Sequence, residues 1–211
     1  MGKSGSQGFS AVLDRALEAL RAGQAIVYPT ETVYGLGVRV RDPRALARLV
    51  ALKVRAKGKP ISVLVADRTM LGEVTRAIPP LAERLIERFW PGPLTLALPA
   101  SEGVSEILTG GSGTIGVRIP SHPVAHELVA RLGEPLTTPS ANPAGERPPT
   151  TVAAARAYFG NEVAFYLDWG PTSGEPVSTV LRVSDEGVAL VRAGAISVED
   201  IEAEIGERVR R

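Results

Sequence analysis

The chain has 211 residues, of which 44% are hydrophobic and 22% are charged, and its formal net charge is +1. This length and composition predict one globular domain with a substantial core. The sequence contains no apolar run of about 18 residues and its first ten residues do not resemble a signal peptide, so we expect a cytoplasmic protein. The absence of cysteine excludes disulfides, thiolate metal sites and a cysteine nucleophile.

The hydrophobic pattern predicts an alternation of helices and strands. Residues 1–9, rich in Gly and Ser, are expected to be a flexible N-terminus, and residues 10–211 a single domain. Ser10 is the predicted N-cap of a first helix that ends at Gly23, and Asp42-Pro43 predicts the start of a second helix. Further helices are predicted over residues 79–89, 122–132, 151–159 and 197–209, and strands over residues 25–28, 61–65, 94–98, 115–119, 135–138, 163–167, 178–183 and 188–191.

The last two predicted strands flank Ser184-Asp185-Glu186-Gly187, a sequence typical of a hairpin turn. Alternating helices and strands indicate an α/β domain, and the late hairpin requires an antiparallel pair. The predicted sheet is therefore mixed rather than wholly parallel.

Charge is distributed unevenly along the chain. Between Arg39 and Lys59 there are eight basic residues and one acidic residue, whereas residues 199–207 carry five acidic residues and no basic one. The first stretch predicts an anion-binding region and the second a solvated acidic helix. Considered alone, both patterns also fit ordinary solvated helix faces.

Two polar segments in the first third of the chain are candidate parts of a site. Residues 28–37 follow a predicted strand and combine hydroxyl groups with Gly35 and Gly37, where backbone amides can approach a ligand closely. Residues 52–60 carry four cations within seven residues, which can converge on a polyphosphate. A turn that satisfies its own backbone and a solvated basic turn are the respective structural alternatives.

Two further segments lie in the second half of the chain. In residues 113–120, Arg118 interrupts an apolar strand pattern and needs an anion, either a bound carboxylate or an internal partner such as Glu31. In residues 136–143, hydroxyl and amide groups lie between prolines that stiffen the turn. A turn stabilised by its own Ser, Thr or Asn side chains is an equal alternative for this last segment.

His122 and His126 are four residues apart on a predicted helix, a spacing suited to metal ligands. They lack a third ligand and the Glu of a zinc-protease helix, so we predict no metal site. Ser140 lies outside a Gly-x-Ser-x-Gly sequence, which argues against a triad hydrolase.

Seven segments, taken in order, resemble the signature of the YrdC-like threonylcarbamoyl-adenylate synthase family. They are residues 29–36 (PTETVYGL), Lys53-x-Arg55, residues 90–95 (WPGPLT), residues 116–120 (GVRIP), residues 139–142 (PSAN), residues 178–180 (STV) and Arg192-x-Gly194. The resemblance implies a YrdC-like α/β fold, with a twisted mixed parallel and antiparallel sheet, flanking helices and a basic concave surface. Since the chain ends shortly after Arg192, we expect the short, single-domain form of the family.

The resemblance implies an L-threonylcarbamoyladenylate synthase, a nucleotidyltransferase that forms threonylcarbamoyl-AMP and pyrophosphate from L-threonine, bicarbonate and ATP. Mg²⁺ would accompany ATP. The product would pass to a separate threonylcarbamoyl-transferase complex that modifies tRNA adenosine 37. The alternative is a catalytically weak paralogue that acts mainly as an RNA- or nucleotide-binding protein, and the basic segment is compatible with weak, salt-sensitive tRNA binding.

The resemblance also assigns site residues by position. The implied catalytic residues are Lys53 and Arg55; the implied ATP ligands are Lys53, Arg55, Lys57, Thr114, Ser140, Asn142 and Arg192; and the implied threonine pocket comprises Thr30, Arg118, Thr138 and Ser178, with Arg118 on the carboxylate. We expect Lys53 to be exposed, so that its replacement leaves the fold intact. The chain departs from the family pattern at Ala56-Lys57-Gly58, at Ala144 and Pro148, and near Leu64, where some members have histidine.

Overall fold

The computed structural model describes residues 3–54, 58–174 and 176–210, and these segments form eight α-helices and nine strands. The helices are α1 (Lys3–Arg21), α2 (Pro43–Leu52), α3 (Arg68–Val74), α4 (Pro80–Phe89), α5 (Glu106–Thr109), α6 (Pro123–Leu132), α7 (Val152–Phe159) and α8 (Val198–Ile205). The strands are β1 (Ile26–Pro29), β2 (Tyr34–Gly37), β3 (Val63–Leu64), β4 (Leu94–Pro99), β5 (Thr114–Arg118), β6 (Leu136–Thr137), β7 (Phe165–Tyr166), β8 (Thr179–Ser184) and β9 (Gly187–Arg192).

The strands form two sheets, one in the order β2-β1-β7 and the other in the order β6-β3-β5-β4-β8-β9. In the larger sheet, β3 runs parallel to β5 and β4 parallel to β8, whereas the remaining neighbours are antiparallel. The β8-β9 hairpin turns between Ser184 and Gly187, as predicted. The predicted mixed α/β fold is therefore confirmed.

Several helix boundaries follow from identifiable caps. The predicted start of α2 is confirmed: Asp42 Oδ1 accepts hydrogen bonds from the backbone amides of Arg44 and Ala45 at 2.9 and 3.1 Å, and Pro43 occupies the first turn. α8 ends at Ile205 because Gly206 adopts a left-handed conformation, so this helix is shorter than predicted. By contrast, α1 begins well before the predicted N-cap, Ser10, and includes most of the segment expected to be flexible.

Two short α-helices and one short strand were not predicted. α3 and α5 contain seven and four residues, too few to show a helical period. β2 has the sequence YGLG, which by itself indicates a turn, yet it pairs antiparallel with β1. Glycine is required there because the ring of Tyr28 packs against it: a Cβ added to Gly37 would lie 2.9 Å from that ring.

The core is formed by the inner faces of the helices and by both sheets. Leu13, Leu17 and Leu20 lie on one face of α1 and are buried, as are all four residues of β1. Each fully buried leucine contributes about 1.5–3 kcal/mol relative to an exposed one. Among the helices that the structure describes, none has the length and apolar character needed to cross a bilayer.

Candidate functional site

One face of the six-stranded sheet carries two of the polar residues that the sequence singled out, Thr114 and Arg118. Alternation along β5 places Thr114, Gly116 and Arg118 on this face. Gly116 forms its floor, because a Cβ at this position would lie 2.6 Å from Ser62 Oγ and 3.4 Å from Thr95 Cγ2. Because glycine has no side chain, a space remains between Arg118 and the side chains of Ser62 and Thr95.

Arg118 forms a buried ion pair with Glu31, which follows β1 in the other sheet. Arg118 Nη1 donates to Glu31 Oε1 at 2.7 Å, and the two side chains are 4% and 16% exposed. The internal carboxylate partner considered in the sequence analysis is thus present. Nevertheless, Arg118 Nε and Glu31 Oε2 are both buried and have no hydrogen-bond partner among the described residues.

The loop that carries Glu31 is held by its own hydrogen bonds and by a second loop. Thr30 Oγ1 donates to Val33 O at 2.6 Å and accepts from the Val33 amide at 3.3 Å, so this hydroxyl satisfies the turn's own backbone. Ser173 Oγ donates to the Glu31 carbonyl at 2.6 Å. These contacts fix the backbone position from which the Glu31 side chain reaches Arg118.

A second cluster lies at the start of β8, which is flanked by β4 and β9. Arg192 donates to the Ser178 carbonyl through Nε and Nη2 at 3.1 and 2.8 Å, and through Nη2 to Ser178 Oγ at 2.9 Å. Ser178 Oγ lies 3.2 Å from Thr95 Oγ1. Gly194 allows this turn to close, because a Cβ there would lie 2.5 Å from the carbonyl carbon of Ser178.

The two clusters are close enough to interact electrostatically. Burial lowers the pKa of the Arg192 guanidinium below its ordinary value, and the positive charge of Arg118 lowers it further. Two guanidinium groups that repel each other are stabilised by an anion bound near both. The arrangement is therefore suited to an anionic ligand or to the anionic part of a larger one.

Lys53 is buried, contrary to the expectation that it is exposed. Its side chain at the C-terminal end of α2 donates through Nζ to the carbonyls of Ser140 and Asn142 at 2.6 and 2.5 Å, and the residue is 3% exposed. Asn142 Nδ2 in turn donates to Glu146 O at 2.7 Å, and a backbone bridge joins Ser140 to Gly35. The ammonium group thus holds the Ser140–Asn142 loop against the end of α2, and the backbone bridge joins the same loop to β2.

The other predicted ligands are placed less uniformly. Arg55 and Lys57 lie outside the residues that the structure describes. Thr138 Oγ1 is buried next to the Tyr28 hydroxyl. Thr114 Oγ1 lies 2.9 Å from Ser112 Oγ. Thr114 and Arg118 are at the two ends of β5, and the rise per residue of a strand separates these two positions by roughly 13 Å.

The basic stretch from Arg39 to Lys59 does not form one continuous anion-binding surface in the described structure. Arg39 pairs with Glu134. Arg41 Nη2 lies 2.9 Å from Glu73 Oε2. Other members of the stretch, Arg44 and Arg48, line a surface cleft of about 400 Å³ beside Gly23 and Asp42.

The acidic C-terminal helix α8 is partly packed rather than fully solvated. Ile201 and Ile205 are buried, and Arg84 Nη1 donates to the Ile205 carbonyl at 3.1 Å. Glu204 Oε2 lies 3.9 Å from Arg88 Nε on α4. Glu204, the Ile205 carbonyl and the buried isoleucines therefore attach α8 to α4.

Sequence reasoning missed Thr95 and His122 as residues of this region. His122 is the N-cap of α6, where Nδ1 accepts from the Val124 amide at 3.3 Å. Burial lowers the pKa of His122, and the negative charge of Glu31 opposes this shift. His126 Nε2 lies 3.1 Å from the Ala66 carbonyl. The absence of a metal site stays a prediction.

His122→Asn is expected to make the fold less sensitive to acid. The unfolded histidine, with a pKa of about 6.5, binds more protons than the folded one, so the free energy of unfolding falls as the pH drops through this range. The side-chain oxygen of Asn can accept the hydrogen bond from the Val124 amide that His122 Nδ1 accepts. Urea unfolding at about pH 7.5 and at about pH 5.5 should show that the free energy of unfolding falls less between the two pH values in the variant than in the wild type. Identical losses in both proteins would contradict this assignment.

Comparison with known proteins places these features in a family context. The family model Sua5_yciO_yrdC, described as "Telomere recombination", matches residues 18–194. The chain is 38% identical over 188 residues to threonylcarbamoyl-AMP synthase of Pyrococcus abyssi, covering 89% of this chain and 55% of that protein. It is 39% identical over 177 residues to threonylcarbamoyl-AMP synthase of Halorhodospira halophila, covering 84% of this chain and 92% of that protein.

Solved structures show the same fold. The crystal structure of P. abyssi Sua5 complexed with L-threonine matches with a TM-score of 0.90 and 37% identity, covering 94% of this chain and 58% of that chain. The crystal structure of E. coli YciO matches with a TM-score of 0.82 and 27% identity, covering 90% and 93% of the two chains. The chain thus spans little more than half the length of the P. abyssi protein and nearly all of the shorter relatives.

Proposed function

The chain belongs to the Sua5/YciO/YrdC family, and from this membership we propose that it is an L-threonylcarbamoyladenylate synthase. The substrates are L-threonine, bicarbonate and ATP, and the products are threonylcarbamoyl-AMP and pyrophosphate. The observation that carries the proposal is the buried Arg118 beside Arg192 and Ser178 on one sheet face. Such a site suits a carboxylate and a polyphosphate better than a neutral ligand.

In this proposal the threonine pocket comprises Thr30, Arg118, Thr138 and Ser178. Arg118 binds the substrate carboxylate with guanidinium donors that Glu31 does not use. The Thr138 hydroxyl is buried next to the Tyr28 hydroxyl and supports a role in the pocket, since a hydroxyl can both donate to and accept from a bound ligand. The L-threonine complex of the similar P. abyssi Sua5 also supports this placement.

The ATP site, in the same proposal, comprises Lys53, Arg55, Lys57, Thr114, Ser140, Asn142 and Arg192. Lys53 contributes chiefly by holding the loop of Ser140 and Asn142, whose backbone it contacts. Arg55 and Lys57 come three and five residues after the end of α2 in the sequence, and they would supply charge to the triphosphate. Mg²⁺ would bind with the triphosphate, since this ion keeps several waters and is usually held by substrate phosphates and few carboxylates.

The chemistry requires positioning and charge stabilisation rather than a protein nucleophile. The threonine amine reacts with bicarbonate to give a carbamate and water. A carbamate oxygen then attacks the α-phosphorus of ATP, and the bond to the β-phosphate oxygen breaks to release pyrophosphate. Basic side chains and backbone amides stabilise the charge that develops on the phosphates. The product would serve threonylcarbamoylation of tRNA adenosine 37 by a separate complex.

Pyrophosphate release tests the proposal. The purified protein with ATP and Mg²⁺ should release pyrophosphate and form an AMP-linked product only when L-threonine and bicarbonate are both present. Omission of either substrate is the matched control. ATP hydrolysis that is independent of threonine, or an absence of product together with tight, sequence-selective RNA binding, would contradict the synthase and favour the RNA-binding alternative.

A further inference from the structure

The ion pair between Arg118 and Glu31 leaves one buried polar atom of each partner without a hydrogen bond among the described residues. It is a single contact, between Nη1 and Oε1, although an arginine and a carboxylate can form two parallel hydrogen bonds. Arg118 Nε and Glu31 Oε2 are buried and lack a hydrogen-bond partner within the described residues. A pair whose purpose is only to brace the sheet would be expected to use both contacts.

The unused atoms have opposite chemical character. Arg118 Nε is a donor with positive charge, and Glu31 Oε2 is an acceptor with negative charge. Leaving such atoms buried and unpaired is costly, which points to a ligand that supplies an acceptor to one and a donor to the other. A free α-amino acid has this composition, because its carboxylate and ammonium groups are bonded to the same carbon.

We propose that Glu31 is a specificity-determining residue that binds the α-ammonium group of the amino acid while Arg118 binds its carboxylate. This inference rests on the proposed synthase function and adds a residue to its threonine pocket. Because the Ser173 hydroxyl holds the Glu31 backbone, the carboxylate is oriented before the ligand binds. The ion pair then serves as a preorganised receptor for a zwitterion.

Two other charged groups act on this pair. Arg192 lies near Arg118, and His122 lies near Glu31, where burial lowers the pKa of the imidazole. Of these four side chains, Glu31 is the one that carries a carboxylate. An ammonium group that enters this pocket is attracted by Glu31 and repelled by both arginines.

The test compares two ligands and two proteins by calorimetry. L-Threonine and 3-hydroxybutyrate share the carboxylate and the hydroxyl, but 3-hydroxybutyrate has no amine. Glu31→Gln should weaken L-threonine binding on the order of tenfold or more, the loss expected for a charged hydrogen bond, and should change 3-hydroxybutyrate binding less than about threefold. Glu127→Gln, at an exposed position of α6, is the matched control and should leave both affinities unchanged.

The possible outcomes separate the inference from the function on which it rests. Unchanged or tighter threonine binding by Glu31→Gln overturns the inference and indicates a brace or a competing carboxylate. Equal losses of affinity for both ligands also overturn the inference, because the substitution would then act on Arg118, which binds the carboxylate that both ligands share. Failure of the wild type to bind threonine overturns the proposed function as well. If Glu31→Gln does not fold, Glu31→Asp provides the test: it keeps the charge and should retain a larger threonine affinity than Glu31→Ala.

Discussion

Replacement of Arg118 by lysine is expected to weaken L-threonine binding roughly thirtyfold or more. A guanidinium can bind Glu31 and a substrate carboxylate at the same time through different donors, whereas an ammonium is a compact charge without that fork. A two-point charged hydrogen bond in a desolvated pocket contributes about 2–4 kcal/mol, which corresponds to this loss. Calorimetric titration with threonine measures the effect, and ATP affinity should change much less.

The melting temperature distinguishes binding from bracing at Arg118. Lysine keeps a positive charge opposite Glu31, so we expect a fall of no more than about 4 °C, equivalent to about 1 kcal/mol in a domain of this size. Arg182→Lys, at an exposed position of β8 in the same sheet, is the matched control and should change neither quantity. A large fall in melting temperature with threonine affinity retained would remove Arg118 from the site.

Lys53→Met is expected to lower the free energy of unfolding by about 3 kcal/mol. The substitution keeps the volume of the side chain but removes the ammonium that donates to the Ser140 and Asn142 carbonyls. Charged hydrogen bonds contribute roughly 1.5–3 kcal/mol each, and the buried carbonyls would be left without this donor. For a domain of this size the melting temperature should fall by about 6–12 °C.

ATP binding by Lys53→Met should also weaken, since the Ser140–Asn142 loop loses its support. The measurement is made well below the melting temperature of the variant, so that loss of affinity is not loss of fold. Arg182→Met is the control, because Arg182 is exposed on β8 and its replacement should cost less than about 0.5 kcal/mol. Unaltered stability would show that Lys53 does not hold the loop, and unaltered ATP affinity would limit it to a structural role.

Local features of the sequence were sufficient to predict much of the fold. The Asp42-Pro43 pair predicted the start of α2, and the turn chemistry at residues 184–187 predicted the β8-β9 hairpin. These features succeed because a cap or a tight turn involves residues a few positions apart. The ordered motifs likewise indicated the family. The pattern around Arg118 also indicated a buried cation in need of an anion, which the structure supplies as Glu31.

Only the tertiary structure decided which distant residues meet. Lys53 was predicted to be exposed in a basic segment, yet its ammonium contacts a carbonyl 87 positions away, and Thr95 reaches Ser178 across 83 positions. β2 has the composition of a turn, and it becomes a strand because β1 presents the ring of Tyr28 to its glycines. Local sequence determines a residue's preferred backbone conformation, but sheet order and register determine the neighbours that bury it, bond it or leave its polar atoms for a ligand.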